Sequence, residues 1–218
     1  MDGLIEMRIV SLGDLKGLLN PETIDEWEQN KGRTKTVEQL YNEIVEGDTK
    51  LFEDPTTHKL YRKTLVLFLV IKKRINGVTK FLIEYEQVFK KKGYAPRRRQ
   101  ILPAEKMKQS DENKEPLLDA VYRAVQEELG DDIRVLYIDY EHIVTTVRAE
   151  ESLSYPGLET LYESYYVPIE VDGLSDQDFS TEEKDKINYW KWADWDEIKG
   201  PTDILIEPER FLQLQESI

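Results

Sequence analysis

Seven consecutive apolar residues, Leu65 to Ile71, set the first constraint on this chain. They lie inside "TLVLFLVIKK" (Thr64 to Lys73). The run is far shorter than the roughly 20 residues needed to span a bilayer, so it reads as a buried strand. Asn76-Gly77 follows, a strong signal for a two-residue hairpin turn. "TKFLIEYEQV" (Thr79 to Val88) then reads as the partner strand. The N-terminus lacks a basic segment followed by an apolar stretch, so no signal peptide is expected.

The remaining pattern is mixed. Residues 1 to about 60 are polar and carry two expected short helices: Pro21 to Gln29 after Asn20, and Thr36 to Glu46 before Gly47. A basic loop, Lys90 to Gln100, and a second loop lead to a helix over Pro116 to Leu129, with Pro at its first position and Gly130 at its end. Ile133 to Arg148 reads as one or two strands, Tyr155-Pro156-Gly157 as a turn, and Thr160 to Val171 as another strand. "STEEKDKIN" reads as an acidic loop, Tyr189 to Trp195 as a short strand, and "DEIKG" as the start of a last helical region. The order predicts an α/β (α+β) fold with mostly antiparallel pairing.

A chain of 218 residues suggests one domain, with room for an appended subdomain. Its net charge of -14 repels nucleic-acid backbones and anionic membranes. A polyanionic substrate would need local neutralisation by a basic patch or by metal ions. There is no cysteine, which excludes disulfides and thiolate chemistry and fits a cytoplasmic protein. The two histidines, His58 and His142, are far apart in sequence, which argues against a histidine-rich metal site. His142 is expected in a strand as a structural residue. No Gly-rich phosphate loop and no Ser/His/Asp nucleophile set can be assembled.

The helix is the chemical object. At 100° per residue, Leu117, Leu118, Val121, Val125 and Leu129 fall within one stripe. Glu128 lands at the edge of that stripe, between Val121 and Ala124, with Glu127 on the other side of Ala124. A carboxylate half buried among aliphatic groups is costly unless something positive neutralises it. Two adjacent carboxylates suit Mg²⁺ or Mn²⁺, and such cations bind phosphates. The plainer alternative is an Arg123–Glu127 pair at i, i+4 and a solvated Glu128.

The segment from Glu115 to Gly130 resembles the Nudix box: Gly, five residues, Glu, seven residues, then Arg-Glu-apolar-x-Glu-Glu-x-Gly-apolar. Glu115 stands eight before Arg123, and Val125, Glu127, Glu128 and Gly130 fall in place. "RRRQILPAEKM" looks like the strand and loop leading into the box, and "YWKWADWDEI" like the closing aromatic strand and terminal helix. The resemblance covers about residues 60 to 200. It departs at three positions: the box glycine falls on Gln109, the residue after the final glycine is Asp131, and the glutamate after the box arginine is Ala124.

The resemblance implies a Nudix-like α/β/α sandwich with a mixed sheet over residues 61–218, preceded by a mixed helical N-terminal extension over 1–60. It implies Glu127 and Glu128 as metal ligands, and Arg123 orienting a glutamate through an ion pair with Glu115. A further carboxylate would come from Glu182 or Glu183, with Glu183 the preferred catalytic candidate. Arg97, Arg98, Arg99 and Lys106 would grip phosphates. The implied activity is that of a Nudix-type pyrophosphohydrolase: Mg²⁺- or Mn²⁺-dependent hydrolysis of a phosphoanhydride bond in a nucleotide, with no nucleic-acid or membrane partner and a homodimer as the default. Ala124 can neither hold a cation nor accept a proton, so the alternative is a catalytically impaired Nudix fold that binds a nucleotide or a protein partner. An unrelated α/β interaction protein is a third reading. Tyr155 could stack on a base or pack on the core, and Trp190, Trp192 and Trp195 read as core.

Overall fold

The computed structural model describes residues 3–30, 34–91, 95–109 and 114–198. In chain order these form β1 (Ile5–Glu6), α1 (Leu12–Leu18), α2 (Pro21–Gln29), α3 (Val37–Val45), β2 (Lys50–Glu53), β3 (Leu60–Ile75), β4 (Val78–Phe89), β5 (Arg97–Ile101) and β6 (Ala104–Met107). Then come α4 (Leu117–Leu129), β7 (Arg134–Ile138), β8 (Val144–Glu151), β9 (Glu159–Asp172), β10 (Phe179–Glu182) and β11 (Lys186–Ala193). The fold is α+β, with a large antiparallel sheet and four α-helices among the described residues. No helix among the described residues is long and apolar enough to cross a membrane.

The chain forms two compact units. The first comprises Met1–Val66, Lys106–Glu115 and Val147–Glu163; the second comprises Leu67–Glu105, Pro116–Thr146 and Ser164–Ile218. Strands β3, β6, β8 and β9 are each divided between them.

The first unit packs three short helices around Leu15, Trp27, Leu40 and Leu51. Local capping sets each helix. Ser11 and Asp14 form a capping box on α1, Asn20 caps α2 ahead of Pro21, and Thr36 with Gln39 forms a capping box on α3. Tyr155 joins this core, fully buried, with its ring edge-on to Trp27 at 5.1 Å. The Trp27 indole N–H donates to the Pro156 carbonyl at 2.8 Å. Helix α1 and strands β1 and β2 lie outside the two expected helices. They are too short for a periodic pattern to betray them.

The second unit is ordered around the β3–β4 hairpin. Asn76 and Gly77 both take positive φ, 52° and 82°, as a primed two-residue turn requires. Strand β4 also pairs with β11 and β5, and β10 completes the edge beyond β11. Three expected loops contain strands. The basic stretch forms β5 because its arginines meet carboxylates across the ladder: Arg98 opposes Glu86 in register, and Arg99 pairs with Glu84 at 2.8 Å. The acidic stretch after Asp178 forms β10 and the start of β11, held by Phe179 stacking on Trp190. The second loop likewise contains β6.

His142 lies in a 3-10 turn, Tyr140–His142, instead of a strand. Asp139 accepts from the backbone N–H groups of Glu141 and His142 and contacts His142 Nδ1 at 2.8 Å. After β11 a 3-10 turn, Trp195–Glu197, ends the described residues, so most of the expected last helical region lies outside them. Trp190 and Trp192 are core residues, while Trp195 is half-buried, edge-on to Phe81.

Gly47, in the first unit, has φ +77°, and its backbone is hydrogen-bonded to Gln109 N at 2.6 Å. An added Cβ there would meet the Gln109 carbonyl oxygen at 3.1 Å. The missing side chain that permits this close approach to position 109 is on Gly47. Gly47→Ala should therefore lower the unfolding free energy by about 1–3 kcal/mol, measured by urea denaturation.

Candidate functional site

Helix α4 buries Ala120, Val121, Ala124, Val125, Glu128 and Leu129. Leu118, expected in the buried stripe, is exposed instead. It lines a shallow groove with Tyr122 and strand β7, because the true stripe is centred about one residue position further around the helix. The rotation carries Glu128 from the edge of the stripe into the interior, where it is only 7 % exposed. Glu127 stays exposed and pairs with Arg123 Nη1 at 3.0 Å, the i, i+4 contact of a solvated helix face. The two adjacent carboxylates thus occupy different environments.

The C-terminal end of α4 is pinned to the β10–β11 hairpin. Thr181 Oγ1 donates to the Glu128 carbonyl at 2.9 Å and accepts from the Trp190 indole at 2.8 Å. Within β11, Lys186, Asn188 and Trp190 share one face by strand alternation. A β-bulge in β4 changes the parity of the opposing strand. Tyr189 opposes Glu86, yet Trp190 opposes Glu84, so Tyr85 is the extra residue. The bulge lets Glu84 and Gln87, three residues apart, both be buried.

The result is a cluster of carboxylates. Asn188 Nδ2 donates to Glu183 Oε1 at 2.7 Å and to Glu128 Oε2 at 3.4 Å. Lys186 Nζ pairs with Glu183 Oε1 at 2.8 Å. Arg99 pairs with Glu84, and Arg123 lies 3.7 Å from Glu105. Burial pushes the Glu128 carboxyl up to about 8. The charges of Glu84, Glu105 and Glu183 add to the rise, and Lys186 opposes it. Burial also raises Glu84, against the pull of Arg99. Burial works to lower Lys186, but the hydrogen bond to Glu183 and the charges of Glu128 and Glu84 hold its ammonium above the ordinary range.

Two buried oxygens in the cluster, Glu84 Oε1 and Asn188 Oδ1, have no hydrogen-bond partner. Buried acceptors without donors are uncommon. With Glu128 they form a set of hard oxygen donors, the chemistry that suits Mg²⁺ or Mn²⁺. Among the described residues, no three Asp, Glu, His or Cys side chains converge closely enough to hold an ion by themselves. A cation here would keep part of its coordination as water, as Mg²⁺ commonly does.

The other sequence candidates fall in several places. Glu183 joins the cluster, whereas Glu182 is exposed and pairs with Lys90 at 2.7 Å. Arg97 and Arg98 are exposed on β5, with Arg98 over the Tyr85 ring. Glu115 and Lys106 belong to the first unit. There Glu115 accepts from Lys108 N at 2.8 Å, and Lys106 lies 3.2 Å from Glu43 and 3.6 Å from Asp48. Sequence reasoning missed Glu84, Glu105, Lys186 and Asn188. Glu84 had a usable signal, a lone acid within the apolar "FLIEY". Lys186 and Asn188 had a weaker one, polar residues at i, i+2 leading into Trp190. The first unit holds a second buried charged group, with Arg62 on Glu43 at 3.2 Å and its guanidinium 5.0 Å from the Tyr155 ring centroid.

No protein-family model matches this chain, and a search of curated protein sequences returns no significant match.

Glu128 supplies a pH signature. In the folded protein it holds a proton from its unfolded value near 4.5 up to about 8. The folded state therefore binds more protons across that window, and stability falls as pH rises through it. Glu128→Gln should remove this contribution. In EDTA, the variant's thermal midpoint relative to the unchanged protein should climb from pH 5 to pH 8, by the equivalent of about a few kcal/mol.

Proposed function

We propose that the second unit catalyses divalent-metal-dependent hydrolysis of a phosphoanhydride bond in a nucleotide, as a Nudix-type pyrophosphohydrolase. The observation that carries this reading is the burial of Glu128 at the rim of a carboxylate cluster with unpartnered oxygens. A structural glutamate would be paired or solvated. One kept buried near neutrality is suited to moving a proton. In this reading the unit is a Nudix-like sandwich with α4 as its box helix, the N-terminal residues are an extension, and the protein is a cytoplasmic homodimer.

Glu128 and Glu183 would hold Mg²⁺ or Mn²⁺, with Asn188 contributing an amide oxygen and water completing the coordination. Such a cation, when bound, neutralises phosphate charge and makes nearby water more acidic. Glu127 is the second carboxylate of the box, kept in place by Arg123, and it remains accessible to a ligand at the exposed end. Arg97 and Arg98, exposed on β5, offer guanidinium groups to phosphate oxygens, while Arg99 beside them is paired with Glu84. Asn188 aligns the Glu128 and Glu183 carboxylates by donating to both.

A second reading, a nucleotide-binding domain without turnover, is favoured by Ala124. This residue is fully buried one turn before Glu128 and places a methyl group where the box carries a carboxylate.

One panel separates the two. Nucleoside triphosphates, ADP-ribose and dinucleoside polyphosphates with Mg²⁺ or Mn²⁺ should yield phosphate or pyrophosphate release with at least one member. Glu128→Gln should reduce that release about 100-fold or more, and Glu127→Gln should reduce it less. Thermal stabilisation by a panel member without any release would select the second reading.

A further inference from the structure

The Lys186 ammonium pairs with Glu183 at 2.8 Å, beside the buried carboxylates of Glu128 and Glu84. We infer that Lys186 is the built-in counter-ion of these carboxylates and that a divalent cation must displace it from Glu183. This rests on the proposed reading that the cluster takes a cation at all.

The geometry supports the inference in three ways. First, Lys186 Nζ is bonded to Glu183 Oε1 at 2.8 Å, and the same oxygen accepts from Asn188, which also reaches Glu128. The ammonium therefore holds a carboxylate oxygen that a metal would compete for. Second, the arginines are committed elsewhere: Arg99 lies on Glu84, and Arg123 lies between Glu105 and Glu127. Lys186 is the cation that faces Glu183 and Glu128 from within the sheet. Third, Glu84 Oε1 and Asn188 Oδ1 remain without donors although Lys186 is nearby. A divalent ion would add charge and take up acceptors that Lys186 leaves unsatisfied.

Ala124 fits the same account. A helix strip with one carboxylate fewer needs less positive charge to assemble, and a lysine suffices in the metal-free state. The cluster can then fold without metal and exchange the ammonium for an ion when one is present.

Competition makes a directional prediction about binding, separate from turnover. Mn²⁺ titrated into the full chain at pH 7.5, followed by calorimetry or by the paramagnetic resonance signal of free Mn²⁺, should bind Lys186→Gln at least about tenfold more tightly than the unchanged protein, since a repelling charge is removed from a low-dielectric site. Lys186→Arg should keep the weak affinity. In EDTA, Lys186→Gln should melt below the unchanged protein and recover on addition of Mn²⁺. A measurement on the unchanged protein guards against misfolding of the variant: acetylation of Lys186, followed by mass spectrometry, should accelerate when Mg²⁺ is added, because the displaced ammonium is released. Equal or weaker Mn²⁺ binding by Lys186→Gln, or acetylation unchanged or slowed by Mg²⁺, overturns the inference while leaving the hydrolase reading standing. Failure of both proteins to bind Mn²⁺ overturns both.

Discussion

The second unit depends on keeping a carboxylate out of water. Glu128 is buried by the same helix face that buries Val121, Val125 and Leu129, so the packing that fixes α4 also desolvates its acid. Ionised carboxylates are rarely fully buried unless paired. The surroundings partly meet that need, with Asn188 donating to the carboxylate and Lys186 close by, but Glu84, Glu105 and Glu183 add negative charge. An acid held near neutrality in this way is an energetic burden for the fold, and such burdens concentrate at working sites.

The two units treat buried charge differently. In the first, Glu43 is surrounded by cations: Arg62 at 3.2 Å, Lys106 at 3.2 Å, and Lys35. Burial raises its pKa, but the charges of Lys106, Lys35 and Arg62 override it, and the net position is below the ordinary carboxylate range. This carboxylate stays ionised and serves as a structural tie, with Arg62 also donating to Thr160 and Tyr162. Glu128 has the opposite balance, with more acids than bases around it. The difference between a structural and a chemically poised glutamate lies in the count of neighbouring charges, since both are buried to a similar degree.

Backbone irregularity is what brings the second cluster together. Without the β4 bulge, residues 84 and 87 would point to opposite faces of the sheet. With it, Glu84 and Gln87 are both buried, and Glu84 can stand near β11 and α4. Bulges often re-aim a side chain beside a functional site. The hairpin β10–β11 then contributes Thr181, Glu183, Lys186, Asn188 and Trp190 from a short stretch of chain.

Local chemistry made much of this legible from residues alone. The caps of α2 and α3, the Asn76-Gly77 turn, the β3–β4 hairpin and the α4 span follow from interactions within a few residues or from strong periodicity. The anomaly of a carboxylate beside the apolar stripe of α4 was also visible, because 3.6-residue geometry is set by the chain itself. Only tertiary structure decided the rest. Strand β5 exists because its arginines find carboxylates across the β4 ladder, and β10 because Phe179 stacks on Trp190 across β11, and neither pairing carries a periodic signal. Glu84, Glu105, Lys186 and Asn188 join Glu128 from three different strands. Which acid is exposed, which is buried, and what neutralises it are set by contacts between residues up to about a hundred positions apart in the chain, and those separations carry no periodic signal.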